Sequence, residues 1–491
     1  MFLGIDLGTS GVKAILADEH DQIVDQATAA LEVSRPRPLW SEQDPAAWWA
    51  ATRAVVDELR NRSPQALSAV RGIGLSGQMH GATLLDASDA VLRPAILWND
   101  GRSQAACREL ERRVPSVVQT TGNLVMPGFT APKLVWLAEH EPEIARLVKR
   151  VLLPKDFLRL QLTGEHASEM SDASGTLWLD VGRRQWSQDL VEATGLSLAA
   201  MPRLVEGSEA SGELRTELAR DWGMGPGVVV AGGGGDQAAG AAGVGVVAPG
   251  HGLLVLGTSG VYFVAGDRFS PNPQRAVHTF CHCLPKRWHQ MSVILSAASC
   301  LSWVTRLVGA TDENAALELA HSALVEAGFS TAVPCFLPYL SGERTPHNDP
   351  HARGVFFGMT HDTGPGQLVL AVLEGVAFAL AEGQEALLAS GAPIEVVSLI
   401  GGGAKSELWG RILASALDRP LMRPRRAELG PALGAARLGR LAVTAEVPED
   451  VCTPPALDRV LEVDPGLVEA LARRRQAFGQ LYPALRDLFV D

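Results

Sequence analysis

The stretch MFLGIDLGTSGVKAIL, residues 1–16, decides the fold. Two apolar runs flank a turn of small residues, a pattern that predicts a β-hairpin. The glycines let backbone N–H groups approach an anion, and the hydroxyls of Thr9 and Ser10 add donors, so the turn is suited to hold a phosphate. The six letters LGTSGV from Leu7 return at Leu256, 249 residues later in a chain of 491. We therefore predict two similar halves, each with one phosphate-binding hairpin.

Composition narrows the class of protein. The length allows two or three domains with sizeable cores. The 43 lysines and arginines against 55 aspartates and glutamates give a net charge of -12 without a basic stripe, which argues against nucleic acid or an anionic membrane as a partner. Six cysteines are too few for a disulfide framework, and Asp6 interrupts the apolar N-terminal run, so we expect a cytoplasmic protein without a leader or membrane span.

A second segment, residues 227–245, reads GVVVAGGGGDQAAGAAGVG. It predicts a buried strand, a sharp glycine turn and a helix of small residues. Asp236 stands where the helix begins, and a carboxylate there is costly unless it is solvated, paired or facing a ligand. Two interpretations stay open from the pattern alone, a general base and an N-cap of the helix.

Three further places carry candidate binding residues. His80 follows a short strand, where ligands bind in open α/β sheets, although a solvated loop histidine would show the same pattern. Trp98 suits the apolar face of a sugar or, alternatively, anchors the core. Residues 401–403 are glycines before a helix, which favours a phosphate or a nucleotide, and Ala404 excludes a P-loop because that motif requires glycine there.

Histidines and cysteines are concentrated in residues 278–289. Their spacing fits no usual zinc pattern, and the alternation in residues 277–284 is typical of a strand. We therefore predict a strand here and no metal site.

Together these features describe ATP-dependent phosphoryl transfer between two lobes. Such transfer needs in-line positioning, neutralisation of charge by Mg²⁺ and a base that accepts the hydroxyl proton. Asp6 suits a water-mediated Mg²⁺ contact and Lys13 a phosphate contact. An acid that only bonds its own turn is the alternative for Asp6.

Longer motifs carry a family resemblance, and they extend over essentially the whole chain. They are GIDLGTSGVK, PLWSEQDPAAWW, SGQMHGATLL, LRPAILWNDGR, GNLVMPGFTAPKLVWL, VLLPKDFLRL, GGGGDQ, LGTSGVYF, LPYLSGERTPHNDP and GVFFGMTHDTGPGQLVLAVLEG. The chain resembles the FGGY family of carbohydrate kinases, whose two signature regions match residues 128–140 and 354–374.

The resemblance implies an α/β fold of two ribonuclease-H-like domains, as in actin, hexokinase and Hsp70-type ATPases, with the active site in a central cleft. We expect an N-terminal domain at residues 1–246 with an insertion near 122–180, and a C-terminal domain at 247–491 with a helical tail from about 443. The resemblance implies that Asp236 is the catalytic base and that Asp6 is an acid near Mg²⁺. It also implies two sets of contact residues. Substrate contacts are Met79, His80, Trp98 and Gln237; nucleotide-phosphate contacts are Thr9, Ser10, Lys13, Thr258, Gly401, Gly402 and Gly403.

The activity implied is phosphorylation of D-xylulose at its terminal hydroxyl, with ribulose, glycerol or gluconate as alternatives. Many members that act on ketopentoses have Asn after the catalytic acid, whereas Gln237 stands here, as in members that act on glycerol. We therefore interpret Gln237, with Met79 and His80, as a determinant of sugar selectivity. A non-enzymatic sugar sensor or actin-like assembly protein is the competing hypothesis, and the resemblance makes a homodimer plausible.

Overall fold

Two mixed β-sheets, one in each half, form the framework of the chain. The computed structural model describes residues 1–327, 333–425 and 430–489. The strands of the described residues are β1 (Phe2–Leu7), β2 (Gly11–Ala17), β3 (Ile23–Ala30), β4 (Glu42–Gln43), β5 (Gly72–Gly77), β6 (Thr83–Leu85), β7 (Ala95–Ile96), β8 (Arg150–Leu152), β9 (Ala167–Glu169), β10 (Leu179–Asp180), β11 (Gln185–Trp186), β12 (Arg203–Val205), β13 (Ala210–Glu213), β14 (Val229–Ala231), β15 (Gly234–Gly235), β16 (His251–Leu256), β17 (Gly260–Gly266), β18 (His278–Cys281), β19 (Trp288–Ile294), β20 (Cys335–Leu337), β21 (Val355–Phe357), β22 (Val396–Ile400), β23 (Leu421–Pro424) and β24 (Leu457–Leu461).

Helices account for most of the remaining regular structure. They are α1 (Pro45–Arg62), α2 (Pro64–Ser68), α3 (Gln104–Arg113), α4 (Val117–Thr121), α5 (Thr130–His140), α6 (Pro142–Leu147), α7 (Pro154–Thr163), α8 (Met170–Ser174), α9 (Gln188–Glu192), α10 (Thr216–Trp222), α11 (Asp236–Gly243), α12 (Ala298–Leu307), α13 (Glu313–Ala327), α14 (Pro365–Ala389), α15 (Glu407–Leu417), α16 (Gly430–Thr444), α17 (Pro448–Val451) and α18 (Pro465–Leu485). Several begin on chemistry visible in the sequence; Asp44 caps α1 through the N–H of Ala46, for example.

The two large sheets share one topology, which confirms the predicted similarity of the halves. The first has the order β13-β14-β5-β1-β2-β3 with β15 beside β5, and the second β18-β19-β17-β16-β22-β23-β24. Each sheet contains an antiparallel hairpin, β1–β2 in the first and β16–β17 in the second. A third antiparallel strand pairs with the outer strand of each hairpin, β3 with β2 and β19 with β17. Parallel strands follow on the other side, β5 and β14 or β22 and β23. Both hairpins therefore begin from the central strand of their sheet.

Helix α16 belongs to the second half of the sequence but packs on the first sheet, with no space for side chains between them. A Cβ on Gly74 of β5 would lie 1.7 Å from the carbonyl oxygen of Ala435, and one on Gly434 would lie 1.8 Å from that of Ala239 in α11. Glycine is required at both places because no other residue allows such an approach. The chain thus returns to its first half at α16, and the domain boundary near residue 246 stays a prediction.

The apolar helix α14 is the core of the second half. Its composition would also suit a membrane span, with a mean hydropathy of 1.5, but 78% of that stretch is buried against protein. Phe378 and Leu380 pack there with Leu254 of β16 and Trp409 of α15. Helix α14 is therefore a buried core helix.

The predicted strand over residues 277–284 is present as β18 (His278–Cys281). Within the described ranges, no three His, Cys, Asp or Glu side chains lie together as metal ligands. All six cysteines are buried free thiols. Their distribution reflects packing, since buried cysteine behaves as a small apolar residue.

Candidate active site

Asp6 lies near the carboxyl end of β1, in the centre of the first sheet. Its neighbour on β5 is Ser76, whose hydroxyl donates to Asp6 Oδ1 over 2.9 Å, and its neighbour on β2 is Lys13. Burial raises the pKa of Asp6, while the Ser76 hydrogen bond and the Lys13 charge oppose that rise. Asp6 bonds to the adjacent strand rather than to its own turn, so its second oxygen stays free for a ligand.

Asp236 is the first residue of α11 and follows the glycine turn directly. Its Oδ1 accepts the backbone N–H of Gln237 over 2.7 Å, and the side chain is only partly accessible. Gly235, not Asp236, occupies the N-cap position, so the helix-capping interpretation is wrong. Burial, followed by the negative charge of Asp6, raises the pKa of Asp236 to about 7. A carboxyl group with that pKa exchanges protons near neutral pH, as a general base must.

His80 faces the same region in a fixed tautomer. Its backbone has a φ of 68°, and its Nδ1 lies 2.6 Å from the carbonyl oxygen of Gly175. A carbonyl oxygen only accepts, so Nδ1 carries the proton and Nε2 is left as an acceptor. Burial lowers the pKa of His80 to about 3, which keeps the ring neutral. The neutral ring offers one lone pair to a hydroxyl group.

Met79 connects the His80 loop to the turn that carries Asp236. It is buried, and a Cβ on Gly235 would lie 3.0 Å from Met79 Cγ and Sδ. A Cβ on Gly175 would lie 3.0 Å from Met79 Cε. The glycines at 175 and 235 thus leave the space that the methionine fills, and the loop and the turn form one wall.

Trp98 is 48% exposed, so it does not anchor the core. Its Nε1 donates to Thr9 Oγ1 over 3.0 Å, and that hydroxyl donates to Gln78 Oε1 over 2.9 Å. Gln78 Nε2 donates in turn to Gln43 Oε1 over 2.8 Å. The predicted phosphate ligand Thr9 therefore uses its hydroxyl to hold the tryptophan, whereas Ser10 is exposed. Sequence reasoning missed Gln43 in β4 and Gln78 after β5 because a single amide side chain gives no specific signal.

A cavity of about 940 Å³ lies at the glycine turn after β22. Gly401 and Gly402 line it, and Gly401 has a φ of 101° that brings its backbone against Leu256, the last residue of β16. Gly403 instead packs against Trp409, and Thr258 uses its carbonyl to cap α12 through the N–H of Ser299 and the hydroxyl of that residue. Charged residues that the sequence analysis missed also line the cavity: Lys405, Arg425, and Arg423 with its ion-pair partner Asp458, whose Oδ2 lies 2.7 Å from Arg423 Nη2.

A buried ionic cluster supports the glycine turn from below. Lys155 Nζ lies 2.7 Å from Asp156 Oδ1 and 3.0 Å from Asp172 Oδ2, all three side chains being fully buried. Arg159 pairs with Asp156 and donates to the carbonyl oxygen of Gly232. Gly235 N–H donates to Ser171 Oγ over 3.0 Å. Arg159 of the cluster and the adjacent Ser171 thus hold the two ends of the glycine turn. The only sign of this cluster in the sequence was the run of charged residues in PKDFLRL.

Comparison with protein families agrees with this arrangement. The model for the FGGY family of carbohydrate kinases, N-terminal domain, matches residues 1–243, and that for the C-terminal domain of the same family matches residues 252–443. The chain belongs to the FGGY family of carbohydrate kinases. It is therefore a carbohydrate kinase, and the non-enzymatic hypothesis is not favoured.

Individual FGGY kinases match over nearly their whole length. The chain is 52% identical to the xylulose kinase of Escherichia coli, covering 99% of this chain and 100% of that one. The crystal structure of a "xyloylose kinase" from Brucella ovis has a TM-score of 0.95 at 52% identity, with 99% of each chain covered. The xylulose kinase of Rhodospirillum rubrum has a TM-score of 0.92 at 29% identity and the same coverage. The two-domain fold of these kinases is thus that of this chain.

Proposed function

We propose that the chain transfers the γ-phosphoryl group of ATP to the C5 hydroxyl of D-xylulose, forming D-xylulose 5-phosphate and ADP. The observation that carries the proposal is the wall in which Met79, the neighbour of His80, packs against the turn of Asp236. Its substrate is suggested by 52% identity to the Escherichia coli xylulose kinase. A sugar on this wall would place a hydroxyl at the carboxylate and other hydroxyls at His80 and Trp98.

Asp236 accepts the proton of the attacking hydroxyl. The sugar oxygen forms a bond to the γ-phosphorus while the bond to the bridging oxygen of ADP breaks, and that electron pair leaves with ADP. A carboxylate is a weak base for an alcohol, so the proton moves late, as the new P–O bond forms. Burial and the Asp6 charge strengthen the base by raising its pKa to about 7.

Asp6 is our candidate for the Mg²⁺ side of the reaction. Mg²⁺ binds through one or two carboxylates with water and substrate phosphates, rather than in an all-protein cage. The free oxygen of Asp6 and the absence of a three-ligand cluster in the described chain fit that mode. Bound Mg²⁺ neutralises phosphate charge, and Asp6 would hold and orient it beside the first hairpin.

For the nucleotide we propose the cavity at the glycine turn after β22. Gly401 and Gly402 would approach the phosphates with their backbone, and Gly403 would support that turn from behind. Lys405 and Arg425 in the cavity lining support the assignment, since their positive charge matches an anionic ligand, whereas Arg423 is already paired with Asp458. Ser10, Lys13 and Thr258 remain proposed phosphate contacts from the two hairpin turns. A cytoplasmic location, which the free thiols support, and a homodimer complete the proposal.

Gln237 is the proposed selectivity residue beside the base. A panel of D-xylulose, ribulose, glycerol and gluconate, measured by ADP release, tests the substrate. We expect the highest kcat/KM with D-xylulose. A higher value with another compound would contradict the proposed substrate but not the assignment as a sugar kinase.

Asp236→Ala should lose at least about 10²-fold in kcat, because it removes the general base, and should still bind ATP. Near-normal turnover by that variant would refute the role of Asp236.

A further inference from the structure

Arg344 lies in the loop after β20, and its side chain is half-buried. No carboxylate in the described parts of the chain forms an ion pair with its guanidinium. Among the same residues the one hydrogen-bond partner of that group is His278, whose Nε2 lies 3.4 Å from Arg344 Nη1. A guanidinium has five N–H donors, so most of its hydrogen-bonding capacity is unused.

The groups nearest to Arg344 are neutral. Burial and the Arg344 charge hold the pKa of His278 well below its usual range, and its Nδ1 donates to Asn123 Oδ1 over 3.3 Å. Burial raises the pKa of Glu343 to about 8, so that carboxyl is mostly protonated at neutral pH. Its Oε1 already accepts the N–H groups of Leu295 and Arg344. Glu343 acts on the guanidinium charge only from beyond ion-pair distance, and a partly buried charge that is incompletely paired favours an additional acceptor.

Aromatic contacts connect Arg344 to the sugar wall. The ring of His278 lies 5.8 Å from that of Phe129, which lies 4.7 Å from the ring of His80. The charge of Arg344 also contributes to the low pKa of His80. Met79 contacts the turn of Asp236, and His80, Phe129 and His278 follow in that order toward Arg344. We therefore place Arg344 at the end of the wall that is remote from the base.

We propose that Arg344 binds the acceptor sugar, donating to its oxygens at the end remote from Asp236. This inference rests on the proposed function, because with O5 at Asp236 the remote end of a ketopentose carries the C1 hydroxyl and the C2 carbonyl. The planar fork of the guanidinium suits two adjacent oxygen acceptors. Arg344 comes from the second half and His80 from the first, so the sugar would be held by both halves.

The test compares Arg344→Gln with the wild type on D-xylulose and on 1-deoxy-D-xylulose, which lacks the C1 hydroxyl. Loss of a charged hydrogen bond should raise the KM for D-xylulose about 10- to 100-fold, with the KM for ATP unchanged. The rise should be clearly smaller for the deoxy sugar, because one acceptor of Arg344 is already missing. A purely structural role would affect both sugars equally.

Arg353→Gln is the matched control, since Arg353 lies in the same loop, is exposed and donates only to the backbone carbonyls of Pro350 and Ala352. It should change KM by less than about twofold. Should Arg344→Gln fail to fold, Arg344→Lys keeps the charge without the fork and should show the same order of effects. An unchanged KM for D-xylulose, or equal losses on the two sugars, would overturn the inference.

The same experiment separates this inference from the proposed function. If the wild type acts on a different ketose or polyol and not on D-xylulose, the proposed substrate is wrong. The KM of Arg344→Gln is then measured on that compound. A rise confined to the sugar and absent for ATP would still support Arg344 as a sugar ligand, and no rise would refute it.

Discussion

Two carboxyl groups lie in the candidate site, one on a strand and one at the start of a helix. Asp6 is the penultimate residue of β1, and Asp236 follows the glycine turn beyond β14. The negative charge of Asp6 raises the cost of ionising Asp236, because like charges repel more strongly where water is partly excluded. The chain keeps this unfavourable pair, which is expected where a bound metal cation would supply the compensating positive charge.

The pKa of Asp236 makes a prediction about pH. A base must be deprotonated to act, and burial with the Asp6 charge raises the pKa of Asp236 to about 7. We therefore expect kcat/KM for the sugar to fall about tenfold per pH unit below that value and to level off above it. Rate measurements from pH 5.5 to 8.5 at saturating ATP check this, and a profile without an acidic limb near neutrality would contradict it.

Single residues were predictable where the chemistry is local. Asp236 stood out because an acid interrupts an apolar, glycine-rich segment, and it lies where that pattern implied. The engagement of Thr9 with Trp98 was not predictable, since it joins two turns that lie 89 residues apart. Arg344 was visible only as one charged letter, because the absence of an ion-pair partner among the described residues depends on the three-dimensional arrangement.

The hairpins and the glycine turns are the elements that the sequence defines best. The repeated LGTSGV motif predicted both hairpins and their equivalence. A hairpin is predictable from such a motif because a tight turn between apolar strands depends on adjacent residues. The packing of α16 on β1 and β5 could not be predicted in the same way. Glycines in β5 and alanines in α16 each suggest close approach, but nothing local says that these elements approach each other.

That close approach predicts a strong effect of one methyl group. Gly74→Ala would place its Cβ 1.7 Å from the Ala435 carbonyl oxygen and 2.5 Å from its carbonyl carbon. Backbone must move to relieve the clash, so we expect a loss of about 3 kcal/mol or more in the free energy of unfolding, with reduced yield of folded protein.

Gly225→Ala is the control for that substitution. A Cβ at Gly225 meets no atom within 4 Å, and its backbone is not left-handed. Thermal and urea unfolding of both variants against the wild type would measure the difference. Equal midpoints for Gly74→Ala and Gly225→Ala would contradict the packing of α16 on β5.

The candidate functional residues come from both halves of the molecule, which share one sheet topology. The first half supplies the two carboxyl groups and the His80 wall, and the second supplies the glycine turn at Gly401 and the proposed sugar ligand Arg344. With the proposed nucleotide site on the second half and the proposed base on the first, the reaction would require that both halves hold their ligands together. Such an arrangement would exclude water, which otherwise competes with the sugar for the phosphoryl group.

The central claim is that Asp236 activates the terminal hydroxyl of D-xylulose. Its most direct test is phosphorus and carbon NMR of the products formed from ATP and C5-labelled D-xylulose. We expect a phosphate ester whose phosphorus couples to C5, little free phosphate, and no ester with Asp236→Ala. An ester on C1, or ATP consumed to free phosphate with the sugar unchanged, would contradict it.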